Sequence, residues 1–92
     1  LITKDTLTSM VNSVVSSFEG VESQQSKIIL DSNNDVSIIL TLEVSNNAVI
    51  KELGNNIQVK VKDAIKKSLD VDVKNLDIRV KNVIKPEENK AN

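Results

Sequence analysis

The sequence predicts an α+β fold: a two-layer sandwich with two helices packed on one face of a three- to four-stranded sheet. Apolar residues recur at helical spacing in two stretches, one near the start of the chain and one in residues 47–69. Between them, Val36–Val44 shows near-ideal alternation, with Val36, Ile38, Leu40, Leu42 and Val44 on one face and Ser37, Ile39, Thr41 and Glu43 on the other. The predicted order is (β)-α-β-β-α-β, the first strand lying around Leu1. The other sheet face is expected to be open to solvent or to a partner.

The longest element predicted is a helix over residues 47–69. Its apolar residues repeat at three- and four-residue steps and so form one stripe: Ile50, Leu53, Ile57, Val61, Ala64, Ile65 and Leu69. Ser45, Asn46 and Asn47 compete for the position that caps its start. Because glycine disfavours a helix interior, Gly54 on the buried side predicts a close approach of the helix to a strand or to the first helix.

The first helix is predicted to start after Thr3, whose hydroxyl can accept a hydrogen bond from a free amide of the first turn. It is expected to run to about Phe18. Gly20 is the residue expected to end it, in a left-handed conformation. The predicted buried stripe is Leu7, Met10, Val11, Val14 and Phe18.

The central part of the sequence predicts a β-hairpin. Its strands are Lys27–Leu30 and Val36–Val44, joined by the turn-forming residues 31–35. A last strand is predicted at Leu76–Val80, with a possible extension to Ile84. We therefore place one domain in residues 1–84 and a charged, disordered tail in residues 85–92.

Composition excludes several classes of function. The chain has 12 basic and 13 acidic residues, so its net charge of -1 offers no strong field for nucleic acid, and its single aromatic residue, Phe18, provides no base-stacking platform. It contains no Cys and no His, which removes disulfides, thiolate nucleophiles, the usual zinc ligands and imidazole catalysis. No segment has the length and hydropathy of a membrane span. The sequence thus predicts a protein that is not an enzyme, needs no cofactor and takes no small-molecule substrate.

Three polar groups suggest binding chemistry, and in each a simpler interpretation is favoured. Asp31, Asn33 and Asp35 match the first ligands of a calcium-binding EF-hand loop, but Val36 and Leu42 stand where that loop needs glycine and glutamate, which favours a plain hairpin turn. The other two groups are a carboxylate cluster with neighbouring basic residues and a lysine-rich helix face. They are an acidic group with carboxylates that suit magnesium (Asp70, Asp72 and Asp77) and a basic group with charges that suit RNA (Lys62, Lys66 and Lys67). A solvated surface is the favoured interpretation of both.

The best candidate for an interaction surface lies on the open sheet face. The strand alternation points Ile29 and Ile39 away from the helices, beside Thr41 and Arg79. Val59, on the outer side of the second helix, is a second candidate. An ordinary cross-strand pair of exposed isoleucines is the favoured interpretation, and contact of this face with another subunit is the functional alternative.

Several short motifs resemble the alkaline shock protein family of Gram-positive bacteria. They are Ile50-Lys-Glu-Leu53, Ile57-Gln-Val-Lys-Val61, Gly20-Val21 and the closing run from Leu76 to Val83, with Lys51 in place of the proline of that family. The opening residues 1–7 most resemble the cytosolic domain of its membrane-anchor branch. The resemblance implies a non-enzymatic scaffold of the cell-envelope stress response, tethered at the inner face of the membrane by a segment before Leu1. It implies binding to itself or to related alkaline shock proteins.

The order α-β-β-α-β also resembles the ring-building modules of sporulation and secretion channels. An oligomerisation module of that kind is therefore the alternative function. Neither resemblance implies a catalytic residue.

Overall fold

A computed structural model of the chain describes residues 3–33, 35–45 and 50–84. The described residues form five elements in the order α-β-β-α-β, which confirms the predicted fold class. They are α1 (Lys4–Ser16), β1 (Val21–Leu30), β2 (Val36–Ser45), α2 (Ile50–Leu69) and β3 (Val73–Ile84). No described helix has both the length and the apolar character needed to cross a membrane.

The three strands form one sheet in the order β1-β2-β3. β1 and β2 pair antiparallel as the predicted hairpin, with Lys27 opposite Ile39 and Gln25 opposite Thr41. β2 and β3 pair parallel, because α2 carries the chain back to the starting end of β2 before β3 begins. β2 is therefore the central strand, and β1 and β3 are the two edges in the described part of the chain.

Both helices cover the same face of the sheet and enclose the core. On β2 the predicted alternation is confirmed, since one set of side chains is buried and the other is only partly covered. The helices add three buried residues each, from one stripe along each helix. The buried apolar residues are Leu7, Val11, Val15, Ile28, Val36, Ile38, Leu40, Leu42, Val44, Ile57, Val61, Ile65 and Leu76.

The start of α1 is confirmed and its end is not. The Thr3 hydroxyl accepts a hydrogen bond from the Thr6 amide at 3.2 Å, as the capping prediction requires. The helix ends at Ser16 rather than near Phe18, and Val15 is fully buried where Val14 was expected. Gly20 has a φ of 95°, but it lies beyond the helix end and immediately before β1, so it directs the chain into the strand rather than ending the helix.

The first strand is longer than predicted. β1 begins at Val21, six residues before Lys27, because the polar residues between them pair along β2. Two of those residues, Gln24 and Ser26, lie opposite the buried Leu42 and Leu40 and so share the core-facing side of the sheet. A strand with polar residues on both faces gives no alternation for sequence reasoning to detect.

Gly54 does not mark a close approach, so that prediction is wrong. A Cβ atom built at Gly54 would meet no heavy atom within 4 Å outside its own helix backbone and chain neighbours. β3 begins at Val73, three residues before the predicted start at Leu76, and it reaches Ile84, the predicted extension. The strand predicted around Leu1, the caps at Asn46 and Asn47 and the tail of residues 85–92 lie outside the described residues.

Candidate interaction surface

The sheet face opposite the helices is the candidate functional surface, and we call it the open face. It is formed by the residues that alternate with the core positions of each strand. They are Ser23, Gln25, Lys27 and Ile29 of β1, Ser37, Ile39, Thr41 and Glu43 of β2, and Asn75, Asp77 and Arg79 of β3.

The structure brings together four of the five residues that the sequence singled out. Ile29 is 41% exposed, and Ile39 is partly buried on the neighbouring strand. Thr41 is the register partner of Arg79. A depression in the open face is lined by Gln25, Ser26, Lys27, Ile39, Thr41 and Arg79. The fifth residue, Val59, is 66% exposed on α2, in the helix layer, and does not join this group.

Polar contacts tie the three strands together across the open face. The Ser23 hydroxyl donates to Glu43 Oε1 at 2.7 Å. The Asn75 amide donates to the Ser37 hydroxyl at 3.4 Å. The Arg79 Nε donates to Asp77 Oδ2 at 3.0 Å. The first two contacts join neighbouring strands, and the third joins two residues of β3.

The open face carries charge of both signs and no reactive pair of groups. Lys27 and Arg79 are positive, Glu43 and Asp77 are negative, and no charged side chain of the described residues is buried. A buried or desolvated acid, base or nucleophile is what shifts a pKa toward catalysis. The arrangement is instead that of a polar surface with a small apolar centre, which suits binding to another surface.

The acidic turn of the hairpin is a structural feature. Asp31 Oδ1 accepts hydrogen bonds from the Asn33 amide at 2.9 Å and from the Asp35 amide at 3.0 Å. The Asp31 amide in turn donates to the Asp35 carbonyl at 3.2 Å, and Asp35 lies 3.7 Å from Lys74. This carboxylate closes the turn, as the favoured interpretation predicted.

The basic end of α2 is largely paired with acidic residues. Lys66 Nζ lies 3.1 Å from Asp70 Oδ1 and 3.5 Å from Asp72 Oδ1. The hydrogen bond and the negative charge of Asp70, with a smaller contribution from Asp72, raise the pKa of Lys66. Lys67 pairs with Asp63 at 3.2 Å. These exposed pairs take up Lys66, Lys67, Asp70 and Asp72 of the two groups that the sequence raised as magnesium and RNA sites, and they favour a solvated surface for both.

Sequence reasoning missed two exposed apolar residues. Val80 of β3 occupies a core-facing position opposite Leu42, yet it is 36% exposed. Ile50 was predicted in the buried stripe of α2, but at the start of that helix it is 42% exposed. The predicted order of the elements already indicated the exposure of Val80. A three-stranded sheet covered by two helices leaves an outer strand whose core-facing side chains are covered from one side only.

Comparisons with known proteins identify the fold and no family. The sequence matches no protein-family model and no curated protein. Among solved structures, a MamM CTD variant in its copper form has a TM-score of 0.70 at 11% identity, covering 87% of this chain and 98% of that one. The metal-bound C-terminal domain of the CzcD transporter from Thermotoga maritima has a TM-score of 0.61 at 18% identity, covering 88% of this chain and 94% of that one. The shared architecture is thus that of these C-terminal domains.

These comparisons overturn the resemblance to the alkaline shock protein family. The similar structures are MamM and CzcD domains, and no family model supports the resemblance. The motifs that suggested it, Ile50–Leu53 and Ile57–Val61, supply the apolar stripe of α2. Any amphipathic helix of this fold needs such a stripe, so short apolar motifs of this kind specify the fold more than the family.

The residues of this chain do not fit the metal that the names of its structural neighbours mention. The whole chain contains no His and no Cys, the ligands that copper and zinc favour. The described residues hold no cluster of three or more His, Cys, Asp or Glu side chains placed to bind an ion. The carboxylates of Asp70, Asp72 and Asp77 lie against Lys66 or Arg79. In the described part of the chain, the shared fold is therefore present without a cluster of metal ligands.

Proposed function

We propose that this chain is a non-enzymatic interaction domain that binds a second copy of itself through its open face, as part of a membrane-attached protein. The observation that carries the proposal is the one-sided packing of the sheet. Both helices cover one face, while the other presents Ile29 and Ile39 among polar and charged side chains. An apolar centre with a polar rim is the usual composition of a protein interface.

The charges of the open face favour a second copy as the occupant. Lys27 and Arg79 stand against Glu43 and Asp77, so positive and negative groups are balanced on one surface. A surface with balanced charges can pack against an identical surface across a two-fold axis so that positive groups lie opposite negative groups. A surface of one sign would repel its own copy and would favour a partner of the opposite charge.

Similarity to the C-terminal domain of the CzcD transporter supports the attachment to a membrane protein. On this proposal the domain works in the cytoplasm, at the inner face of the cell membrane, through a segment outside these 92 residues. Fractionation of cells that express the natural full-length protein tests this part. The protein should sediment with membranes, and the domain should resist protease added to intact spheroplasts. Recovery in the soluble fraction, or digestion from outside, would contradict it.

Analytical ultracentrifugation tests the self-association. The Ile39→Lys variant places a charge at the centre of the open face and should weaken association by about tenfold or more, as expected for a charge buried in an interface. Val59→Lys is the matched control, because it makes the same kind of change on the helix layer. An unchanged association constant for Ile39→Lys, or an equal loss for Val59→Lys, would show that the open face is not the contact.

A ring-building oligomerisation module remains the second candidate, favoured by the same observed order α-β-β-α-β. Electron microscopy distinguishes the two. Closed rings of many copies support the ring-building module, whereas small assemblies support the interaction domain.

A further inference from the structure

We propose that β3 is a second and separate contact, at which two copies pair edge to edge and antiparallel about a two-fold axis through Ile78. The contact goes beyond the open face, since it uses the backbone edge of the sheet rather than its surface. Together the two contacts would build assemblies larger than a dimer.

The β3 edge has the length and regularity that strand pairing needs. β3 contains 12 residues, and in the described part of the chain only β2 pairs with it. Register shifts occur near each end, opposite Val36/Ser37 and opposite Leu42/Glu43. Between them the strand runs regularly from Asn75 to Val80. An unpaired strand edge presents a row of backbone donors and acceptors to any strand that can align with it.

The sequence of this regular stretch is complementary to itself. In antiparallel pairing about Ile78, Asp77 of one copy faces Arg79 of the other, and the same pair occurs again on the other side of the axis. Asp77 and Arg79 already lie 3.0 Å apart within one chain. Pairing would therefore form a cluster of four alternating charges on the open-face side of the joined sheet.

The core-facing side of the same stretch is complementary as well. Ile78 would face Ile78 of the second copy, and Leu76 would face Val80. Val80 is the core-facing residue left 36% exposed, so pairing would cover apolar surface that a single chain leaves in water. The charge pattern selects this register, and the exposed Val80 shows independently that this edge has apolar surface to cover.

The opposite edge of the sheet lacks this pattern. The open-face residues of β1 are Ser23, Gln25, Lys27 and Ile29, which carry charge of one sign only. If two copies of β1 paired with each other, no register would place a positive side chain opposite a negative one on that face. We therefore place the contact at β3 and not at β1.

Gln58 already reaches part of this edge without blocking it. Its side-chain amide donates to the Leu76 carbonyl at 3.3 Å. A carbonyl oxygen has two lone pairs, so the same group can accept a second hydrogen bond from an added strand.

Charge exchange tests the proposed register by sedimentation. In an Ile29→Lys background, which places a charge in the open-face contact on the strand farthest from β3, Asp77→Arg should weaken the remaining dimer by about tenfold, because two attractive cross-strand pairs become repulsive. Combining Asp77→Arg with Arg79→Asp should restore it. Lys60→Glu, a charge reversal at an exposed residue of α2, is the matched control and should have no effect.

Cross-linking tests the axis directly, since the chain has no cysteine of its own. Ile78→Cys should form a disulfide-linked dimer, because residues that face each other across antiparallel strands have Cα atoms about 4.5–5.5 Å apart, within disulfide range. Val80→Cys should not, since its copies would lie about 13 Å apart along the strands.

Circular dichroism establishes that each variant is folded, and the charge-exchange series does not depend on substituting an apolar residue of β3. A dimer that is indifferent to Asp77→Arg, or equal cross-linking at positions 78 and 80, would overturn the edge contact and leave the proposed function standing. A wild-type chain that remains monomeric would overturn both.

Discussion

The Gln58 side-chain amide donates a hydrogen bond to the Leu76 backbone carbonyl across 3.3 Å, which joins the middle of α2 to the edge strand β3. It connects two residues that are 18 positions apart in the sequence, and the bond is partly shielded from water. A neutral hydrogen bond of this kind contributes modestly to stability, but its loss leaves a shielded carbonyl without this donor.

Replacing Gln58 by Met should lower the free energy of unfolding by about 0.5–1.5 kcal/mol, because methionine keeps the length of the side chain and removes the donor. Urea denaturation followed by circular dichroism measures the change. Lys62→Met, an exposed change on the same helix, should stay within about 0.5 kcal/mol of the wild type. Equal effects of the two substitutions would show that this hydrogen bond contributes nothing.

Gln24 is a polar residue on the core-facing side of β1, opposite Leu42. Its Oε1 atom is buried and has no hydrogen-bond donor among the described residues. A buried acceptor of this kind costs about 1–3 kcal/mol. Gln24→Met should therefore raise the free energy of unfolding by about 0.5–2 kcal/mol in urea denaturation. Gln25→Met, on the exposed open face, is the control and should change the free energy of unfolding little. A loss of stability in Gln24→Met would contradict this account of β1.

The two glycines of the chain should respond in opposite ways to alanine. Gly54→Ala should raise the free energy of unfolding by about 0.5–1 kcal/mol, because the site has room for a Cβ atom and alanine favours the helix. Gly20→Ala should lower it by about 1 kcal/mol or more, since its φ of 95° strains any residue with a side chain. Thermal unfolding of both variants provides the measurement. Destabilisation by Gly54→Ala would mean that the helix lies closer to a neighbour than the structure shows.

The pairing of Lys66 predicts a loss of stability at alkaline pH. Asp70, with Asp72, raises the pKa of Lys66, so the folded state holds this proton more tightly than the unfolded state. Such a group stabilises the fold at pH values below its unfolded pKa, and the contribution is lost as pH rises through the folded pKa.

Lys66→Met should therefore be less stable than the wild type at neutral pH, and the difference should shrink above about pH 10.5, the ordinary range of a lysine. Lys66→Arg should keep the interaction at high pH because a guanidinium remains charged there. Urea midpoints across this pH range provide the test. A difference between wild type and Lys66→Met that does not change with pH would rule out the ion pair as its cause.

Much of the fold was predictable because the strongest patterns belong to the best-packed elements. β2 is buried on one face along its whole length, so Val36–Val44 shows the alternation clearly. Ile57 and Val61 are fully buried, as the stripe of α2 predicts. Burial requires apolar residues at these positions, so their spacing in the sequence reveals the element they belong to.

The errors occur where long-range pairing or local geometry decides the structure. The first half of β1 is a strand because β2 pairs with it, although its polar residues have no strand pattern of their own. The open space at Gly54 and the exposure of Val80 depend on how α2 lies over the sheet, which periodicity does not specify. The candidate surface was predictable in position, since alternation assigns Ile29 and Ile39 to the open face. The complementarity of the β3 edge depends on the strand order, which only the structure provides.

Sedimentation velocity of the wild-type chain over a wide concentration range tests the central proposal most directly. The account predicts that the weight-average mass rises with concentration above the 10.1 kDa of a single chain, and that Ile39→Lys reduces this rise while Val59→Lys does not. A mass that stays at 10.1 kDa up to millimolar concentration would contradict self-association through the open face.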